Sequence, residues 1–350
     1  MSQLLVAQRA LTVPGWAKDA LWRNARAVPS LDLRFADNKS LVDAVTGASL
    51  VTFTRASSGT FVDSAGVLQT AATDVPRFDH NPTTGESLGL LVEEPRTNLL
   101  LNSGTLSTQS VTVTAVAHTL SFTGTGTITL TGTSTAGPLV GTGTGEANRV
   151  SLTFTPTAGI LTLTISGTVT NAQLEAGAFR TSYIVTAGAQ ATRNADVASI
   201  TGTAFSGWYR QDEGTMFAET RAAGATNNDG ISGAAACFSN GTNTERIRVS
   251  IAAIQTTWIS GNTTQASLSS GGGFVANALF RAAAATKAND FAFTINANTV
   301  QSSLSGSAPS VSQLSIGTSS PTAGFLNGTI RRLTFWTQRL PNSTLPALTQ

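Results

Sequence analysis

The chain has 350 residues, of which 11% are charged, with a formal net charge of +2. Ordinary soluble domains carry about 25% charged residues, and a balance this sparse supplies neither a basic stripe for nucleic acid nor a charged tail. A lone cysteine, Cys237, excludes an intrachain disulfide framework, and no apolar run of roughly 18 residues marks a membrane-crossing helix.

Residues 1–29 read as an arm or anchor. Leu4 to Ala7 is a short apolar patch followed by Arg9, so no signal peptide is expected. Pro14 suits a helix start, and Pro29 halts the pattern before the first strand. The stretch between them carries Trp16 and Trp22, and two tryptophans so close together predict docking onto another surface. Residues 30–97 read as a small β domain. Leu31, Leu33 and Phe35 alternate, as do Val51 and Phe53, and Ser58-Gly59 and Ala65-Gly66 mark turns. Residues 98–195 read as a Thr-rich β-sandwich. VTVTAV, TITLTGT and TLTISGT alternate apolar with Thr, and Glu146 and Arg149 are the only charges from Gly104 to Thr170. Disordered segments are usually charged and poor in β-branched residues, so strands are the better reading. Residues 196–350 hold most of the aromatic residues. Phe291, Phe293 and Ile295 alternate, as do Leu333 and Phe335, and Asn289-Asp290 supplies a turn. Two antiparallel sheets in a jelly roll fit this pattern. The fold class expected is all-β and multidomain.

The densest signal is Ser87 to Ser103, SLGLLVEEPRTNLLLNS. An apolar run meets Glu93-Glu94-Pro95-Arg96-Thr97 and then resumes at Leu99. Pro95 cannot donate to a sheet ladder and marks the end of a strand, so this is a junction between β units. The same stretch resembles a motif of tailed-bacteriophage virion surface proteins of the head-spike, head-fibre and tail-fibre type. Leu31 to Asp63, Gln173 to Ile200 (QLEAGAFRTSYIVTAGAQATRNADVASI) and Phe325 to Gln350 (FLNGTIRRLTFWTQRLPNSTLPALTQ) carry the same resemblance. It implies a middle module like a carbohydrate-binding domain, a C-terminal concanavalin-like, laminin-G-like lectin domain, and a structural role with no catalytic motif to transfer.

Candidate chemistry is thin. Glu93 and Glu94 are adjacent, so on a strand they face opposite ways and cannot flank one bond; the simpler task is to meet Arg96 or a neighbouring subunit. Asp212-Glu213 follows Trp208-Tyr209-Arg210, an aromatic platform beside carboxylates that a glycosidase would use, although a solvated turn explains it as well. His80 and His118 fall in different units, and with Cys237 alone they build no zinc site. No Gly-x-Ser-x-Gly elbow occurs. Gly271 to Gly273 has no following Lys-Ser/Thr and reads as a turn. Asn227, Asn228 and Asp229 before Gly230 offer calcium-type oxygens, but they also suit a hairpin turn. Trp258, flanked by Thr257 and Ser260, is the candidate sugar-stacking residue. No catalytic, cofactor or metal residue is assigned.

The expected function is that of a non-enzymatic virion subunit, made in the host cytoplasm and displayed on the particle. Trp16 and Trp22 would anchor it to capsid or tail proteins. It would assemble with copies of itself, most simply as a trimer, and its C-terminal domain would bind host surface polysaccharide. Nucleic acid and membrane insertion are not expected. The alternatives are a tailspike-type polysaccharide depolymerase, against which the lack of a fixed-period repeat argues, and a stand-alone carbohydrate-binding protein.

Overall fold

A computed structural model describes residues 15–225, 227, 229–320 and 323–350, with side chains from residue 17 onward. The fold is all-β and multidomain, and its named strand pairs are antiparallel. Two large sheets face each other across one core. The first runs Gln301–Ser303, Phe291–Ile295, Phe280–Lys287, Glu213–Ala222, Gly328–Trp336, Ser87–Val92 and Phe78–His80, with Leu31–Leu33 also paired to Gly328–Trp336. The second runs Thr52–Thr54, Val197–Thr201, Gln313–Ile316, Ala234–Ser239, Arg246–Ser250, Gln255–Ser260 and Thr263–Ser269.

The period-2 alternation of strands accounts for the layering. In FRAAAATK, Ala282 and Ala284 point into the core between the sheets, while Ala283 and Ala285 point outward. The inner face adds Phe291, Phe293, Leu333 and Phe335 to the core. Phe205, Trp208, Tyr209, Phe238 and Phe335 interlock there with ring centroids 4.6–6.3 Å apart, in stacked, tilted and edge-on pairs.

Residues 30–97 do not form a domain of their own. Leu31 pairs with Phe335 and Leu33 with Leu333; Val92 pairs with Gly328; Phe53 pairs with Ala198. Their apolar side chains complete the same core as the C-terminal strands. Alternation along a strand reports that one face is buried but not which strand lies alongside, and for Leu31 and Leu33 the partner lies some 300 positions away. Within this segment, only the hairpin Gly59–Val62 and Leu68–Ala71 stands as a separate two-stranded sheet.

The middle unit is a smaller sandwich. Four strands (Leu139–Val140, Thr127–Gly132, Gly159–Ser166, Gln109–Val113) pack on three (Val150–Phe154, His118–Gly124, Val169–Ala176). Its core of Leu120, Phe122, Ile128, Leu161, Leu163 and Leu174 is separate from the large one. Arg96–Asn98 and Ala191–Arg193, where the chain enters and leaves this unit, pair with each other. Two neighbouring crossings make a double-stranded tether.

The N-terminal helix Ala20–Ala25 lies on the outer face of the eight-stranded sheet. Leu21, Trp22 and Ala25 cover Phe217, Ala283, Ala285, Ala292 and Trp336. Asp19 caps the helix, accepting from the amides of Leu21 and Trp22 at 2.9 and 3.2 Å, and its carboxylate also pairs with Arg332 at 2.9 Å. Trp22 Nε1 donates to the buried Asp32 at 3.0 Å. Asp32 also accepts from Arg34, Arg332 and Thr334 at 2.7–2.9 Å. Trp22 thus docks onto its own chain, which leaves little indole for a partner protein; the Trp16 side chain lies outside the described residues. Arg331 and Arg332 take opposite faces of their strand, and both find carboxylates, Arg331 at Glu86 (2.7 Å) and Arg332 at Asp19 and Asp32. Replacing Trp22 by alanine opens a cavity over Trp336 and removes one of the donors to Asp32. The substitution should lower the stability of the whole chain by about 3 kcal/mol in denaturant unfolding.

Candidate functional site

The VEEPRTN segment sits where the large sandwich, the hairpin and the middle sandwich meet, and its charges are buried there. Arg55 Nη1 lies 3.0 Å from Asp196 Oδ1. Arg77 bridges Asp196 and Glu93, the latter at 2.8 Å. Arg193 reaches Glu93 at 3.1 Å. Glu93 further accepts from the amide and hydroxyl of Ser182 at 2.7 and 2.6 Å. On the other face of the strand Glu94 binds Arg96 at 2.5 Å. Arg96 in turn donates to the carbonyl of Ala176 and lies 3.9 Å from Glu175. The Glu94 amide donates to Asn327 Oδ1 at 2.8 Å. Four arginines (Arg55, Arg77, Arg96, Arg193) face four carboxylates (Glu93, Glu94, Glu175, Asp196), with side chains at most 5% exposed. Burial alone would raise the Glu93 pKa, but Arg193, Arg77 and Ser182 outweigh it and hold the carboxyl at about 2.

Two glycines let the bracket close. A Cβ on Gly177, at φ +138°, would fall on the Arg96 guanidinium, and a Cβ on Gly224 would fall on the Phe179 ring. Phe179 also carries the Arg96 guanidinium 4.9 Å above its centroid. Phe179 thereby packs the exit loop of the middle sandwich against the backbone of the large one.

Beside this bracket opens a cleft of about 750 Å³. Phe61, Asp79, His80 and Leu91 form one wall, Glu146, Arg149, Phe179 and Arg180 another, and Arg221, Asn277 and Asn327 a third. The volume falls in the range of small-molecule sites, about 300–1,000 Å³. Asp79 accepts from the Val62 amide at 2.7 Å, and burial pushes its carboxyl up to about 6. His80 is buried; Nδ1 lies 3.0 Å from the Val62 carbonyl, while Nε2 has no hydrogen-bond partner among the described residues. Arg149 lies 3.7 Å from Glu146. Arg180 donates to the Arg149 carbonyl at 2.6 Å and Arg221 to the Asn277 carbonyl at 2.9 Å.

The sequence candidates fall elsewhere. Trp258 is fully buried, its indole N–H donating to Thr286 at 2.7 Å and its ring against Phe291; neither face is open to a sugar, so it is a core residue. Tyr209 and Trp208 belong to the aromatic core, with burial lifting the Tyr209 phenol well above its usual pKa. Asp212 is an exposed partner of Arg210 at 2.6 Å, and Glu213 pairs with Lys287 at 3.4 Å. His118 is buried against Phe154 in the middle sandwich. Burial pushes the Cys237 thiol up to about 12. Asn227 accepts from Asn327, and Asp229 accepts from Ile231 and Gly324; Asn228 lies outside the described residues. Among the described residues no group of three or more His, Cys, Asp or Glu gathers as metal ligands, and no helix is long and apolar enough to cross a membrane. The cleft arginines were not singled out from sequence. The signal lay in the otherwise uncharged stretch from Gly104 to Thr170, whose two charges, Glu146 and Arg149, both line the cleft.

No protein-family model and no curated protein matches the chain. Among solved structures it is similar to the Ruminococcus gnavus IT-sialidase CBM40 bound to α2,3-sialyllactose, at 15% identity and a TM-score of 0.33, over 40% of this chain and 83% of that one. It is also similar to the Trypanosoma rangeli sialidase in complex with the inhibitor DANA, at 11% identity and a TM-score of 0.30, over 44% of this chain. A third is the K499G mutant of the NanB sialidase from Streptococcus pneumoniae, at 11% identity and a TM-score of 0.33, over 41% of this chain. The chain spans only about a quarter of either sialidase, 26% and 25%. These likenesses assign neither a family nor an activity.

The Glu93 environment sets a pH dependence. Its folded-state pKa of about 2 lies below the ordinary 4.5, so its stabilising effect is complete above the unfolded value and is lost as pH falls through the folded one. Thermal unfolding of the chain should show Tm falling between pH 4.5 and 2. Glu93→Gln should lower Tm at pH 7 and flatten that acid slope; an unchanged slope would show that Glu93 is not the group responsible.

Proposed function

We propose that the chain is a non-enzymatic structural subunit of a tailed-bacteriophage particle, displayed on the virion surface as a head spike, head fibre or tail fibre, and that it binds host surface glycans. One observation carries this reading. Three of the segments that bear the resemblance to such proteins, distant in sequence, converge on one buried bracket. Glu93, Glu94 and Arg96 come from the first, Glu175, Ser182, Arg193 and Asp196 from the second, and Asn327 from the third. The resembling residues therefore encode a way of locking two sandwiches together, which is what a projecting rod of β modules needs. The cleft beside the bracket supports the glycan-binding half of the proposal, because its convergent polar groups lie beside the apolar Phe61, Leu91 and Phe179.

Assembly follows from composition. A chain with 11% charged residues and Thr-faced strands suits burial in a permanent homo-oligomer, most simply a trimer, attached to capsid or tail proteins. A stand-alone carbohydrate-binding protein would share the cleft but not the particle. Immunogold labelling of phage particles purified from an infection in which the chain is made should place it on the virion surface. Sedimentation of the purified chain at micromolar concentration should give a trimer. Absence from particles together with a stable monomer would favour the stand-alone reading, and shortened polysaccharide after incubation with the chain would overturn the non-enzymatic one.

A further inference from the structure

The charges facing the cleft are not balanced. Glu93 is consumed by Arg77, Arg193 and Ser182. Glu146 faces Arg149 at 3.7 Å. Asp79 is occupied by the Val62 amide, and burial favours its neutral form up to about pH 6. That leaves Arg180 and Arg221, which line the cleft and donate to the backbone carbonyls of Arg149 and Asn277, with no ion pair among the described residues. The Nε–H groups of Arg149 and Arg221 are buried without an acceptor. The buried His80 adds Nε2, likewise without a partner. Two cleft-lining guanidinium groups without a paired carboxylate point to an anion that arrives from outside.

We propose that this cleft is the binding site for an acidic saccharide, its carboxylate held by Arg180 and Arg221 and its ring against Phe61 and Leu91. This rests on the glycan-binding reading above and specifies its site and ligand class. The cleft's volume of about 750 Å³ has room for a sugar ring and its neighbours, far more than a bare phosphate fills. Arginine suits the task because its planar fork matches a carboxylate with two parallel hydrogen bonds. The two cations belong to different units, Arg180 to the exit loop of the middle sandwich and Arg221 to the Glu213–Ala222 strand of the large one. An acidic sugar spanning them would further tie the sandwiches together.

Calorimetric titration of the full chain with trigalacturonate, with neutral galactotriose and with inorganic phosphate tests the assignment. Trigalacturonate should bind at least about tenfold more tightly than galactotriose, since charge-assisted hydrogen bonds are roughly twice as strong as neutral ones. Arg180→Gln combined with Arg221→Gln should erase that preference while leaving the thermal unfolding profile in place. Arg210→Gln, an exposed arginine outside the cleft, should change nothing. Binding of trigalacturonate that survives the double variant would overturn the site. Equal affinity for phosphate would reduce it to a simple anion site and overturn the saccharide class. Galactotriose bound while trigalacturonate is not would overturn this proposal yet leave the glycan-binding reading standing; failure of both sugars would remove both.

Discussion

The architecture depends on one arginine in a place without water. Arg77 is fully buried and lies between Asp196 and Glu93. A guanidinium there is tolerable only if carboxylates meet it on the right sides, since breaking one partner from a buried pair costs about 3–5 kcal/mol. Asp196 lies just after the strand Ala191–Arg193 that leaves the middle sandwich, and Glu93 just before the strand Arg96–Asn98 that enters it. The pairing therefore fixes entry and exit against each other and against the hairpin wall, where Arg77 also donates to the Thr60 carbonyl at 2.8 Å. Replacing the whole cluster with apolar side chains could be as stable. What the charges add is register, because each arginine reaches its carboxylates in one arrangement only.

The remaining junction features follow from that constraint. Glu94, on the opposite face of the strand, turns to Arg96, and Arg96 needs Gly177 beneath it. Phe179, two residues on, closes over Gly224. The cleft is what remains between three units held at this angle. Its arginines lie near the bracket but outside the balance of four cations and four carboxylates, and that is why they are open to a ligand.

Much of this was legible in the amino-acid order and some was not. All-β character, the Thr-rich middle sandwich and the strand break at Pro95 follow from alternation and from proline's missing donor. The pairing of Glu94 with Arg96 follows from their spacing. The separate domain expected for residues 30–97 fails because Leu31, Val92 and Phe53 bury their faces against strands of the other chain end, and periodicity carries no information about the partner. Trp258 was misplaced for a related reason. Nearby Thr257 and Ser260 made it look like a surface position, but Thr257 points to the opposite face of the strand and Ser260 lies at the strand's end, so neither reports on its burial. The cleft was invisible because Asp79, Arg149, Arg180 and Arg221 are scattered along the chain and meet only in the folded state.

The buried bracket should make two sandwiches with separate cores into one cooperative body. Scanning calorimetry of the full chain at neutral pH tests it most directly, by comparing the calorimetric enthalpy with the van't Hoff enthalpy of the same transition. A single transition in which the two agree for all 350 residues is the predicted result. Two resolved transitions, each matching one sandwich, would contradict it.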